Sequence, residues 1–329
     1  MKKDRFTIWQ KDMSAQITYS ASVFTTLTLK IRRKGDLMET GELLDKKLRE
    51  IRTKREVLLQ PAPNYESYKT MLERGFLVRY NYESTAIEGN PLTQIEHDGI
   101  LNRDQCPNTD RMRSVYEAIN HADAFCYVNQ HAIEPLNEER LLTLHKLLMS
   151  HLLDGGKYRT CNITLRGATH PFPPYTELPQ LMNQFFTGLE EKRLSLTKYE
   201  LAAWAHEEFV SIHPFVDGNG RMARLIMNYI LLSYDCLPIS VPIEKKEEYF
   251  KMLDNYYTDR NIIPLVELIV QQEEREADCV IKVMEPLSYP LIIDYNELHN
   301  RYPLKEDYIK ELRIIMDRYR EEIEKRRGF

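Results

Sequence analysis

His213-Pro214-Phe215-Val216-Asp217-Gly218-Asn219-Gly220-Arg221-Met222-Ala223-Arg224 reads as a helix end, a tight loop and the start of a second helix. Thr197 and Glu200 stand at capping-box spacing, so the first helix is expected to open there. Its apolar residues Leu201, Ala205, Phe209 and Ile212 then share one face. Pro214 cannot donate a backbone hydrogen bond, which ends the helix and leaves His213 beside the loop. The second helix is expected from about Arg221 to Leu232.

The loop has the chemistry of an anion site. Gly218 and Gly220 permit a sharp turn and close approach of backbone to a ligand. The helix that follows points its unpaired N–H groups and positive dipole end back at the loop. Arg221, Arg224 and Asn228 fall at i, i+3 and i+7 on one face, while Met222, Leu225, Ile226, Tyr229 and Ile230 fill another. Asp217 supplies the carboxylate that a magnesium–phosphate site needs. His213 titrates near neutral pH and is the candidate general base. Two rival motifs fail on context. Gly218 to Ala223 satisfies a loose dinucleotide fingerprint, but a helix precedes it where a strand is required. His206-Glu207 is half of a zinc-protease motif, with Val210 where the second histidine belongs. A plain glycine turn would leave the converging glycines, arginines, Asp and His unexplained.

The stretch resembles the signature of the Fic family, HPFxxGNGRxxR, at all eight fixed positions. Proteins similar to this mostly transfer AMP from ATP to a hydroxyl side chain of a target protein. The resemblance implies that His213 deprotonates the hydroxyl and that Asp217 binds Mg²⁺ through the phosphates. It implies that Gly218, Asn219, Gly220 and Arg221 hold the α- and β-phosphates and Arg224 the γ-phosphate. The phosphate site and the base follow from the loop itself; the AMP outcome comes from the resemblance.

Upstream, residues 64–88 read as a helix stopped by Gly89-Asn90-Pro91, and Thr93 with Glu96 caps the next one. Ser84-Thr-Ala-Ile-Glu88-Gly89 resembles the inhibitory motif Ser/Thr-xxx-Glu-Gly/Asn of many Fic proteins. That places an inhibitory helix near 69–88, with Ser84 and Glu88 set against Arg224. A carboxylate at a helix C-terminus lies at the disfavoured dipole end and calls for a cationic partner. Residues 93–153 read as two or three amphipathic helices, on which His121, His145 and His151 show no metal-ligand spacing.

Cys161 to Leu165 alternates as a short strand, Arg166-Gly167 turns, and His170-Pro-Phe-Pro-Pro174 forbids helix, which gives a small β-hairpin. A surface hairpin is the plain reading. The resemblance makes Ile163, Thr164, Leu165, Arg166 and Gly167 a flap over the nucleotide that docks the target by strand addition. Leu178 to Leu189 and Lys245 to Tyr257 read as further helices. By the resemblance, Tyr249, Phe250 and Tyr257, with Asn228, would line the adenine pocket. Tyr257 stands where asparagine is common, and an aromatic ring stacks on adenine without reading its edge. Packing of these tyrosines in the core is the competing reading.

The 329 residues are 43% hydrophobic, enough for one large or two modest domains. A net charge of −5 excludes a nucleic-acid partner held by a basic surface. Five cysteines with no CxxC pair suit reduced thiols. No apolar run follows the first residues and none reaches eighteen, so neither a signal peptide nor a membrane span is expected, and the location expected is cytoplasmic. The chain is expected to divide into an arm over 1–62, a Fic-like domain over 63–285 and a helical extension over 286–329. The arm combines a strand or hairpin at Val23 to Ile31 with a charged helix from Gly41 to Leu59, ending at Pro61-Ala-Pro63. Packing on the main domain and a homodimer contact are both open for the arm and the extension. The expected fold is all-α with one small β-hairpin. The expected function is a protein adenylyltransferase that uses Mg²⁺, ATP and a target Ser, Thr or Tyr hydroxyl, checked by Glu88 against Arg224. The alternatives are a hydrolase that removes AMP with Glu88, or an inactive nucleotide-binding regulatory module.

Overall fold

The computed structural model describes residues 65–105, 109–164 and 171–288, together with Lys46 and Arg49. Helix α1 (Tyr65–Ile87) leads into α2 (Gln94–Asn102), α3 (Met112–His131), α4 (Glu138–Leu148) and α5 (Leu178–Arg193). Then come α6 (Lys198–Ile212), α7 (Asn219–Ser233), α8 (Lys246–Asp259) and α9 (Ile263–Ser288). No strand occurs among the described residues.

Helix α7 holds the centre. Met222, Leu225, Ile226 and Leu231 are wholly buried, and Arg221 and Arg224 are buried beside them. A helix buried on nearly every side needs neighbours on every side. Helices α6, α3 and α4 pack on it, α5 and α8 pack on α6, and α2 packs on α3. Each fully buried aliphatic side chain contributes about 1.5–3 kcal/mol.

Local chemistry fixes the ends of these helices. Thr93 caps α2 and Thr197 caps α6, each as a reciprocal box with Glu96 and Glu200. Helix α1 closes with Asn90 N–H on Thr85 O at 3.1 Å and Gly89 N–H on Ala86 O at 2.9 Å. Gly89 has φ +94°, so this is a Schellman close that only a residue without Cβ adopts cheaply. It leaves Glu88 projecting from the end of α1. Helix α7 begins at Asn219, two residues before the expected Arg221, because Gly218 takes φ +82° and turns the chain directly into the helix.

Cys161–Thr164, the described part of the expected strand, runs irregularly; Leu165, Arg166 and Gly167 lie outside the described residues. Compactness divides the chain within α1 after Phe76 and within α9 after Gln272, so Leu77–Gln272 forms a unit of its own. The arm and the extension lie outside the described residues, apart from Lys46, Arg49 and the last turn of α9. Lys46 and Arg49 are helical, within the stretch where a helix is expected. Among the described residues no helix is long and apolar enough to cross a membrane.

Candidate active site

His213 closes α6 in the left-handed conformation, φ 51° and ψ 58°. Such a conformation is uncommon for a residue with a Cβ and is held here by its surroundings. Its Nδ1 lies 3.3 Å from Val210 O. A carbonyl only accepts, so Nδ1 carries the proton and Nε2 keeps its lone pair. Burial holds the ring's pKa down to about 4, so it is neutral at pH 7. Phe172 packs on the ring at a centroid distance of 4.1 Å. A neutral imidazole with a lone pair on Nε2 is the state a general base requires.

The loop from Pro214 to Gly218 is braced on every side. The Asn219 amide accepts from Phe215 N–H at 3.0 Å and donates to Phe215 O at 2.9 Å. In this arrangement Asn219 braces the loop. His145 of α4 accepts from Gly156 N–H on Nδ1 at 3.0 Å, so Nε2 carries the proton and donates to Asp217 O at 3.1 Å. Its ring stacks on Phe215 at 3.6 Å. Burial holds His145 down to about 4, which keeps this tautomer uncharged. Buried Arg159 donates to three carbonyls: His213 O at 2.9 Å, Cys161 O at 3.0 Å and Pro173 O at 2.6 Å. It thereby ties both ends of the expected flap to the base.

Charges converge on the N-terminus of α7. Asp217 accepts from Arg113 on Oδ2 at 3.0 Å and from Arg221 on Oδ1 at 3.3 Å. The Arg221 Nε and Nη1 are buried and have no partner among the described residues. Two orphaned donors on an arginine at a helix N-terminus are what an anion would satisfy. Arg224 is wholly buried and fully engaged. Its Nε donates to Ser84 Oγ at 3.0 Å, and its Nη2 donates to Ser84 O at 2.7 Å and to Glu88 Oε1 at 2.8 Å. The Glu88 carboxylate lies on the Gly220 backbone: a Cβ there would stand 2.2 Å from Oε1. The space in front of α7 therefore holds a carboxylate of the chain itself. Gly220 is needed for that approach.

A buried bracket holds Arg224 from both sides. Ser84 Oγ is also bonded to His121 Nε2 at 2.9 Å. The Tyr249 hydroxyl lies 3.4 Å from Arg224 Nη1 and 2.7 Å from His206 Nε2. Burial, then the charge of Arg224, pushes His206 down to about 3 and His121 well below its usual range. Both rings are thus neutral neighbours of a buried cation.

Of the expected adenine residues, Tyr249 and Phe250 lie ring beside ring, 5.7 Å between centroids. Asn228 shares the arginine face of α7, but its amide is satisfied by Ile239 N–H at 2.8 Å and Ile239 O at 2.9 Å. Tyr249 is buried against Arg224, while Phe250 is exposed and Tyr257 donates to Pro171 O at 3.2 Å. Spacing missed Arg113, His145 and Arg159. The run Gly155-Gly156-Lys157-Tyr158-Arg159 marked a break in helix without marking a buried cation.

Residues 135–231 match the Fic/DOC family, a stretch that runs from just before α4 nearly to the end of α7. The chain is 26% identical over 269 residues to "Protein adenylyltransferase Fic" of Drosophila persimilis, covering 80% of this chain and 52% of that protein. It is 28% identical over 251 residues to the protein of the same name from Aedes aegypti, covering 74% of this chain and 49% of that one. The chain thus spans about half the length of these curated relatives. A Fic domain containing signaling protein from Bacteroides thetaiotaomicron shares the fold with a TM-score of 0.65 at 24% identity, over 75% of this chain and 97% of that one.

Proposed function

We propose that this chain is a protein adenylyltransferase, moving AMP from ATP to a hydroxyl side chain of a target protein, and that Glu88 restrains it. One observation carries the reading. Among the described residues, Arg221 offers two unpaired buried donors at the N-terminus of α7, and the Glu88 carboxylate lies beside them, 2.8 Å from Arg224 and against Gly220. In the active state His213 Nε2 takes the proton of the incoming hydroxyl as its oxygen bonds to the α-phosphorus and the α–β phosphoanhydride bond breaks, releasing pyrophosphate. Arg221 offers its unused donors to the nearer phosphates, and Arg224, released from Glu88, pairs with the γ-phosphate. The resemblance of the signature and the names of the relatives support AMP as the group transferred.

A magnesium ion fits this donor set. Asp217 presents a part-exposed carboxylate at the loop, and Mg²⁺ is commonly held by one or two carboxylates together with substrate phosphates. Bound there, the ion would neutralise charge developing on the phosphates. Exposed thiols at Cys161 and Cys279 suit a reducing compartment such as the cytoplasm.

The test is which phosphate moves. Protein carrying Glu88→Gly, incubated with Mg²⁺ and ATP labelled at the α- or the γ-phosphate, is expected to incorporate α-label with a mass gain of AMP. Incorporation of γ-label instead would replace this reading with a kinase.

A further inference from the structure

Glu88 fills the anion half of the site, and a second side chain of the same charge logic stands at its cation half. Arg113 lies in the first turn of α3 and donates through Nη2 to Asp217 Oδ2 at 3.0 Å. Asp217 Oδ1 is meanwhile taken by Gly218 N–H at 2.6 Å and by Arg221. Both oxygens of the carboxylate that would bind the cation are therefore engaged, and Arg113 holds the outer one. Arg113 is itself aimed by Glu117, whose Oε1 accepts from Arg113 Nε at 3.1 Å. The other oxygen of Glu117 accepts from Asn90 Nδ2 at 2.9 Å. Asn90 is two residues beyond Glu88, in the turn that closes α1. A continuous run of contacts thus joins the corner that places Glu88 to the arginine on Asp217.

We infer that Arg113 sets the divalent-cation requirement of the reaction by competing with the cation for Asp217. A guanidinium on Oδ2 and a metal ion on the same carboxylate repel one another and draw on the same negative charge, so each weakens the hold of the other. In the resting chain Glu88 stands in for phosphate and Arg113 for the metal. Entry of Mg·ATP displaces both. This rests on the proposed role of Asp217, and the experiment separates the two ideas.

Binding of a fluorescent ATP analogue is measured against Mg²⁺ concentration in protein carrying Glu88→Gly, with and without Arg113→Ala. Arg113 is 63% exposed, so its pairing is in the weak, screened class. Removing it is expected to lower the Mg²⁺ concentration for half-maximal nucleotide binding by about two- to fivefold. The difference is expected to shrink at high salt, as screened pairs do. Arg113→Lys, which keeps the charge but loses the planar fork, should fall between. An unchanged or raised Mg²⁺ requirement in Arg113→Ala, with nucleotide binding still dependent on the cation, overturns the role of Arg113 alone. Nucleotide binding indifferent to Mg²⁺ in every variant overturns the metal role of Asp217 with it.

Discussion

Replacing His213 with alanine is expected to lower AMP transfer by about 10²–10⁴-fold, the usual contribution of a general base. Binding of Mg·ATP should persist, because among the described residues the imidazole bonds to Val210 O and packs on Phe172 and makes no hydrogen bond to Arg221 or Arg224. Isothermal titration of nucleotide beside single-turnover transfer separates the two effects. The same residue predicts the pH profile. Burial holds His213 down to about 4, so the acid limb of kcat/KM should lie near pH 4 instead of near the ordinary imidazole value of about 6.5. The stability contribution has the matching sign. The unfolded ring takes a proton as pH falls through about 6.5, while the folded ring resists until about 4. Stability from this group is therefore complete above pH 6.5 and is lost between there and 4. Retained transfer in His213→Ala would place the base elsewhere, and collapse of nucleotide binding would make the ring structural.

The Glu88→Gly variant is expected to transfer AMP about 10–100-fold faster than the parent. A charge-assisted hydrogen bond contributes about 1.5–3 kcal/mol, and about 1.4 kcal/mol is tenfold in an equilibrium. Glu88 is about a third exposed (36%), and solvent screening moves the expectation toward the lower end. Arg224→Ala should cancel the gain in the double variant, because Arg224 then has no γ-phosphate partner to offer. An inert surface glutamate would give no change in rate. Loss of an AMP-removing activity on Glu88→Gly would instead assign Glu88 to hydrolysis.

The legible part of this molecule is local. Capping boxes at Thr93 and Thr197, the stop at Pro214 and the glycine turn before α7 all act within a few residues, so spacing reveals them. The phase of Arg221 and Arg224 along one face is equally local, and Arg224 meets Glu88 across 136 positions. What spacing hides is the partner of a side chain. Asn228 has the phase of the arginines, yet its amide is spent on the backbone of Ile239. Tyr249, expected from its register to face adenine, has its hydroxyl 3.4 Å from Arg224, a contact that spacing does not show. Arg113, His145 and Arg159 reach the loop from 54 to 104 positions away, through bonds to Asp217 and His213 that no periodicity records. A buried arginine satisfied by carbonyls carries no more signal in sequence than an exposed one.

The central claim is that the N-terminus of α7 is a triphosphate site which Glu88 occupies in the resting chain. A crystal structure of the Glu88→Gly variant with Mg²⁺ and a non-hydrolysable ATP analogue tests it most directly. The expected result is a triphosphate laid along Gly218–Arg221, with the γ-phosphate on Arg224 and the α-phosphorus facing Nε2 of His213. A γ-phosphorus nearest His213, or a nucleotide bound away from the loop, would contradict the account.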